Sequence, residues 1–124
     1  MKTLKKIFFI ATLFAFVSCN NTKPAGYYHV LLLEYDVNTP QTEMINDILH
    51  FKDISDVLDV AIGKIESNER NTITNFGYSI VLTFKDKQGL DNYLKHPYHI
   101  KTYNKYKPLI KAMYTADFEP LKMN

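Results

Sequence analysis

The sequence predicts a small α+β domain with the order β-α-β-β-α-β. Residues 77–84 and 110–118 alternate between apolar and other side chains, with the period of two that is typical of strands. Residues 27–35 are apolar at nearly every position, which indicates a strand that is covered on both faces. Between these runs, apolar residues at spacings of three and four predict helices that pack on the sheet.

The first half of the domain is predicted as strand, helix, strand. Thr39 is the expected N-cap, and Pro40 the first residue, of a helix over residues 40–51. The apolar residues at helical spacing in this segment are Met44, Ile45, Ile48 and Leu49. Residues 57–65 are predicted as the second strand, in which Gly63 indicates a bulge or a close approach of another backbone.

The second half is predicted as strand, helix, short helix, strand. A polar loop over residues 66–75 leads into the third strand. One face of that strand carries Tyr78, Ile80, Leu82 and Phe84. Asp86 is the expected N-cap of the next helix, and Pro97 ends that helix because a residue before proline disfavours the helical region. A short helix over residues 98–106 and the strand at residues 110–118 complete the domain.

This order is the split β-α-β arrangement of a ferredoxin-like fold, in which a four-stranded antiparallel sheet carries both main helices on one face. The opposite face carries Tyr28, Val30, Leu32 and Val81. Because four large apolar side chains are too many to leave in contact with water, we expect the same face of a second copy to cover them. The sequence therefore predicts a homodimer that packs through this outer sheet face.

The N-terminus has the features of a secretory signal. Residues 1–6 contain three lysines, and the apolar run at 7–17 is too short to span a bilayer as a helix. Residues 16–19, which end in Cys19, resemble the lipobox of bacterial lipoproteins, in which the cysteine is acylated; a cleaved signal with an incidental cysteine is the alternative. We expect a lipoprotein signal peptide at 1–18 and a lipid-anchored polar tether at 19–26, which attach the protein to a membrane of the bacterial cell envelope, outside the cytoplasm.

The charge balance changes when this signal is removed. The full chain has 15 basic and 13 acidic side chains, and residues 1–18 contain three of the lysines, which leaves 12 basic side chains against 13 acidic ones. A net charge near −1 gives no electrostatic reason to expect a nucleic-acid partner. The 106 residues that remain of 124 suffice for one small domain, predicted over residues 27–120.

Residues 93–99, Tyr-Leu-Lys-His-Pro-Tyr-His, concentrate reactive side chains around a helix-breaking proline. This segment is part of residues 89–99, which resemble most strongly the stress-responsive A/B barrel (Dabb) domain family. Residues 28–35, 77–84 and the closing residues 116–118 match as well, so the resemblance covers essentially the whole mature domain. The resemblance implies a dimeric α+β barrel. It implies less about function, because most members of that family have no assigned reaction.

One plant branch of that family, the polyketide cyclases that resemble olivetolic acid cyclase, implies a pocket between the sheet and the helices. By this resemblance Tyr93 and His99 are the catalytic residues. His29 is the counterpart of a pocket histidine in the first strand. Tyr78 stands where the cyclase has a second pocket histidine, which is a departure from its pattern.

The residue types agree with a ligand site in this pocket. An imidazole and a phenol in an apolar cleft can remove a proton from an acidic C–H bond and stabilise the enolate without a cofactor. In this interpretation His99 is the base, Tyr93 donates to a carbonyl oxygen, and His29 and Tyr78 orient the ligand. Three of these residues have a structural alternative. Tyr93 and His29 could be core residues, and His99 could cap the short helix.

His96 is a further candidate ligand-binding residue, although a histidine before proline at a helix break is more simply expected to bond exposed backbone groups.

No metal and no other cofactor is expected. The four histidines lack the close paired spacing of zinc sites, and Cys19 is the only cysteine. Heme chemistry is not favoured either, because no histidine lies in a recognisable heme-binding sequence.

Two functions remain open at this point. The first is a lipid-anchored dimeric barrel that binds a small apolar or aromatic ligand, or a partner, without converting it. The second is a cofactor-independent cyclase, isomerase or lyase that uses Tyr93 and His99. A location outside the cytoplasm argues against the cyclase reaction itself, because thioester-derived polyketide chains are made in the cytosol.

Overall fold

The computed structural model describes residues 25–66 and 77–123. Its strands are β1 (Tyr27–Tyr35), β2 (Val57–Lys64), β3 (Tyr78–Phe84) and β4 (Ile110–Phe118), and its helices are α1 (Gln41–Leu49), α2 (Lys87–Lys95) and α3 (Pro97–Tyr106). Short 3-10 turns at His50–Asp53 and Lys107–Leu109 follow α1 and α3. The ferredoxin-like α+β fold is confirmed. The expected signal peptide, most of the tether including Cys19, and nearly all of the loop at 66–75 lie outside the described residues.

The strands form one antiparallel sheet in the order β2-β3-β1-β4, with β3 and β1 at its centre. Directly opposed residues of neighbouring strands lie on the same face of a sheet. His29 of β1 opposes Leu82 of β3 on one side and Asp117 of β4 on the other. These three side chains therefore share one face, here named the inner face, which the helices cover.

The hydrophobic core lies between the inner face and the helices. Leu82 and Phe84 of β3 and Met44 of α1 are completely buried there. Each such side chain contributes about 1.5–3 kcal/mol through the apolar surface that it removes from water. In the described part of the chain, no helix is long and apolar enough to cross a bilayer.

Two local expectations about the first half are wrong. Helix α1 begins at Gln41 after Pro40 without a side-chain cap from the described residues, among which the buried Thr39 hydroxyl has no hydrogen-bond partner. Gly63 pairs with Ser79 in regular register, and no atom of the described residues lies within 4 Å of a Cβ built on it. The irregularity of β2 lies instead at its start, between Val57 and Asp59.

The boundaries of α2 follow the expected signals. The Asp86 carboxylate accepts a hydrogen bond from the Gly89 backbone N–H at 3.0 Å, as an N-cap does. His96 has an extended backbone, with φ −66° and ψ 134°, and Pro97 starts α3 directly after it. The chain therefore turns sharply between α2 and α3, and this turn brings their side chains together.

Among the described residues, no helix covers the opposite face of the sheet, here named the outer face. Its apolar members in β1 and β3 are only partly buried: Tyr28, Val30, Leu32 and Val81. The register adds two aromatic residues of β4, Tyr114 and Phe118, which are 68% and 46% exposed. The rings of Tyr28 and Phe118 stack with centroids 5.2 Å apart. The outer face therefore carries an apolar patch on β1, β3 and β4, with Glu34 at its border.

Candidate functional site

A partly open cavity of about 60 Å³ lies between the inner face and the helices. Its walls are mostly apolar, and its polar residues include His29, Tyr93, His99, Thr102 and Tyr106. The enclosed space holds about two water molecules, and because the cavity is partly open, a larger ligand would extend out of it.

His29 forms the sheet side of the cavity. Its ring is buried, and its Nδ1 lies 2.5 Å from Oδ1 of Asp117, its neighbour across the β1–β4 pair. An ionised carboxylate only accepts hydrogen bonds, so Nδ1 of His29 is the donor. This bond fixes the orientation of the ring and leaves Nε2 for other contacts.

His99 forms part of the helical side. Its Nδ1 donates to the backbone carbonyl of Leu94 at 3.1 Å, across the turn between α2 and α3. Burial is the main cause that lowers the pKa of His99, and the nearby His29 and His96 lower it further, while the Leu94 carbonyl opposes them. The imidazole is therefore mostly neutral at pH 7, with a lone pair on Nε2.

Tyr93 of α2 lies between the two imidazoles. It is 2% exposed, and its ring centroid lies 4.4 Å from that of His99 and 6.1 Å from that of His29. Burial raises the pKa of its phenol well above the ordinary value, so the hydroxyl keeps its proton. Within residues 25–66 and 77–123 this hydroxyl has no hydrogen-bond partner, which leaves it available to a ligand.

The other two predicted ligand residues do not line this cavity. Tyr78 is on the inner face, but its hydroxyl donates to Oε1 of Gln41 at 2.7 Å, beyond the cavity wall. His96 accepts a hydrogen bond from the Tyr98 backbone N–H at 3.2 Å, which confirms the expected bond to the backbone at the helix break. The structure thus brings together His29, Tyr93 and His99 but not Tyr78 or His96.

The sequence interpretation missed two contributors to the site. Asp117 holds His29, yet only the register between β1 and β4 places it there. Tyr106 lines the cavity and donates to the Asp47 carboxylate at 2.7 Å, and Lys105 also binds this carboxylate at 2.7 Å. These bonds tie α3 to α1 and hold one wall in place.

Across the described ranges there is no group of three or more His, Cys, Asp or Glu residues that is arranged to hold a metal ion. The chemistry that the site offers is that of imidazole, phenol and carboxylate.

The fold is that of a known domain type. The model of the family described as "Stress responsive A/B Barrel Domain" (Dabb) matches residues 27–120, which is most of the chain. The chain belongs to this Dabb family. No curated protein matches the sequence.

Solved structures of similar fold include one protein that is described as a Dabb family member. A Dabb family protein with a ferredoxin-like fold from Mesorhizobium loti has a TM-score of 0.68 at 14% identity, over 80% of this chain and 100% of that one. A dimeric ferredoxin-like protein of unknown function from Thermobifida fusca has a TM-score of 0.64 at 18% identity, over 79% and 93%. Hydroxynitrile lyase from Passiflora edulis has a TM-score of 0.71 at 13% identity, over 82% and 98%. At these identities the likeness shows a shared fold.

Proposed function

We propose that this Dabb domain is a homodimeric, lipid-anchored barrel of the bacterial cell envelope that binds a small, mostly apolar ligand in the cavity. The observation that carries the proposal is the Tyr93 hydroxyl: Tyr93 lines the mostly apolar cavity, and its hydroxyl has no protein partner among the described residues. A ligand oxygen in the cavity can therefore accept its hydrogen bond without displacing a protein group.

Binding is tested by titrating the full-length protein with 4-nitrophenol, a small aromatic probe with one hydroxyl. Histidine ring resonances in NMR spectra report the position of the probe. Signals of His29 and His99 are expected to move together with one dissociation constant, while those of His50 stay in place, because His50 is exposed and bound to Asp53 at the surface. Equal, unsaturable shifts at all histidines would count against a defined ligand site.

The dimer proposal is supported by the outer face and by the relatives. A stable interface buries roughly 800 Å² on each partner, and a sheet face with large aromatic side chains suits such burial. The Thermobifida fusca protein is described as dimeric. The apolar outer face of β1 and β4 is the surface through which we propose that this chain pairs with a second copy.

The anchor proposal rests on the signal-like residues 1–18 and on Cys19. Cells that express the full chain and grow with a labelled fatty acid should incorporate the label into the protein. Cys19→Ser is expected to abolish labelling and to release the protein from the membrane fraction. An unlabelled wild-type protein in the soluble fraction would refute the anchor.

A second candidate function is proton transfer on the bound ligand, without a cofactor, as in an isomerase or a lyase. The observation that favours it is that both cavity imidazoles donate through Nδ1, so that each neutral ring offers a basic Nε2. The neutral Tyr93 hydroxyl can donate to the oxygen on which charge develops. The relative from Passiflora edulis is a lyase.

A further inference from the structure

The two cavity imidazoles differ in the group that holds Nδ1. His29 donates to the Asp117 carboxylate at 2.5 Å, whereas His99 donates to a backbone carbonyl at 3.1 Å. A carboxylate compensates the positive charge that forms when Nε2 accepts a proton, and a neutral carbonyl does so less. His99 is also the poorer proton acceptor because of its surroundings. It is buried next to His29 and His96, and a positive charge on either of them would repel a proton on His99.

We infer that His29, held by Asp117, is the general base of the cavity, and that His99 stays neutral beside Tyr93. Asp117 is then a positioning residue that acts through His29. This assignment differs from the expectation that His99 is the base, and it rests on the proton-transfer function proposed above.

The geometry also restricts the class of substrate. His29 and Tyr93 lie on adjoining walls, with ring centroids 6.1 Å apart. A small carbonyl compound with an acidic C–H bond fits both groups. The C–H bond breaks, its proton goes to Nε2 of His29, and its electron pair becomes part of an enolate whose oxygen accepts the Tyr93 hydrogen bond. Return of the proton to another carbon of the same molecule completes an isomerisation, so that no oxidant, reductant or metal is required.

The test uses the full-length protein and 4-nitrophenol, whose ionised form absorbs strongly in visible light. Below the pKa of the free probe, the site is expected to bind it as phenolate, with the phenolic proton on His29. Asp117→Asn should weaken this ionisation by roughly tenfold or more, since Nδ1 of His29 then donates to a neutral amide oxygen and no longer to a charged carboxylate. Asp53→Asn is the matched control, because it removes an exposed His–Asp pair, His50–Asp53, and should leave the ionisation unchanged.

A second measurement separates positioning from a loss of structure. In NMR spectra without the probe, Asp117→Asn should shift the Nδ1 proton resonance of His29 and leave that of His99 in place. An unchanged His29 resonance would overturn the inference. So would a His99→Gln variant that abolishes probe ionisation while Asp117→Asn retains it. If the wild-type protein binds no 4-nitrophenol, the ligand site proposed above fails, and the His29 resonance alone decides whether Asp117 holds this ring.

Discussion

The rings of Tyr93 and His99 lie 4.4 Å apart between centroids, although Tyr93 belongs to α2 and His99 to α3. The extended backbone of His96 and the proline that follows it turn the chain between the two helices. Both rings line the same cavity. The turn therefore converts a separation of six residues into a direct contact at the site.

The Tyr93 hydroxyl should matter for binding and little for folding. Tyr93→Phe removes a donor that has no protein partner within the described ranges, so the free energy of unfolding should change by less than about 0.5 kcal/mol. Binding of 4-nitrophenol should weaken by roughly threefold to tenfold, because one hydrogen bond contributes about 0.5–1.5 kcal/mol. Isothermal calorimetry and urea unfolding measure the two effects.

Tyr98→Phe is the matched control for this substitution. The Tyr98 hydroxyl donates to the backbone carbonyl of Asp47 at 3.0 Å, and Tyr98 does not line the cavity. This variant should lose stability and keep its affinity for the probe. If Tyr93→Phe destabilises the protein as much as Tyr98→Phe and binds normally, Tyr93 is a core residue and not a ligand contact.

His99 should make the protein less stable in mild acid. Burial lowers the pKa of His99 in the folded state, so below its ordinary value of 6.5 the unfolded chain binds a proton that the folded chain does not. The contribution of His99 to the free energy of unfolding is therefore complete above pH 6.5. It falls as the pH decreases, until the pH drops below the pKa of the folded state.

Urea unfolding at pH 8 and pH 5 measures this effect. His99→Gln should lose less stability between the two pH values than the wild-type protein, since glutamine does not titrate. An identical pH dependence in the wild type and His99→Gln would refute the assignment.

The strand pattern and the helix boundaries could be read from the sequence because they depend on neighbours along the chain. The alternation of β3 and β4, the Asp86 cap and the break at Pro97 are of this kind. Thr39 shows the limit of such local signals. The residue type suits an N-cap, but the chain enters α1 through Pro40 without a side-chain cap.

The site was less predictable than the fold because it depends on how far along each element a residue lies. Alternation correctly puts Tyr78 on the inner face, opposite Leu33, which lines the cavity. The hydroxyl of Tyr78 nevertheless donates to Gln41 of α1, outside the cavity, and no local pattern predicts that bond. Asp117 is a polar residue in an edge strand, and no motif in the neighbouring sequence indicates that it has a role in the site. Only the register between β1 and β4 shows that it holds His29.

Leu90 and Leu94 of α2 should differ strongly in their contribution to stability. They lie one turn apart, but Leu90 is 3% exposed and Leu94 is 39% exposed. Leu90→Ala should lower the free energy of unfolding by about 2–5 kcal/mol, because it leaves a cavity in the core. Leu94→Ala should cost about 1 kcal/mol or less. Equal losses in urea unfolding would mean that α2 packs through a different face.

A charge on the outer face should dissociate the proposed dimer. Leu32 lies at the centre of this face. Its neighbours on the same face of β1 are Val30 and Glu34, and it opposes Tyr114 of β4. Leu32→Asp places a carboxylate in the middle of the interface, where it loses its hydration without gaining a partner. The dissociation constant of the dimer should rise by roughly a hundredfold or more, since this burial costs several kcal/mol.

Sedimentation equilibrium of the full-length protein measures this dissociation, with Val37→Asp as the control. Val37 is also apolar and 83% exposed, but it lies in the loop before α1 and not on the sheet. Val37→Asp should leave the dimer intact, because the same charge is added away from the outer face. A wild-type protein that sediments as a monomer at all concentrations would refute the dimer. Dissociation by both variants would place the interface elsewhere, since only Leu32 belongs to the face on which the proposal depends.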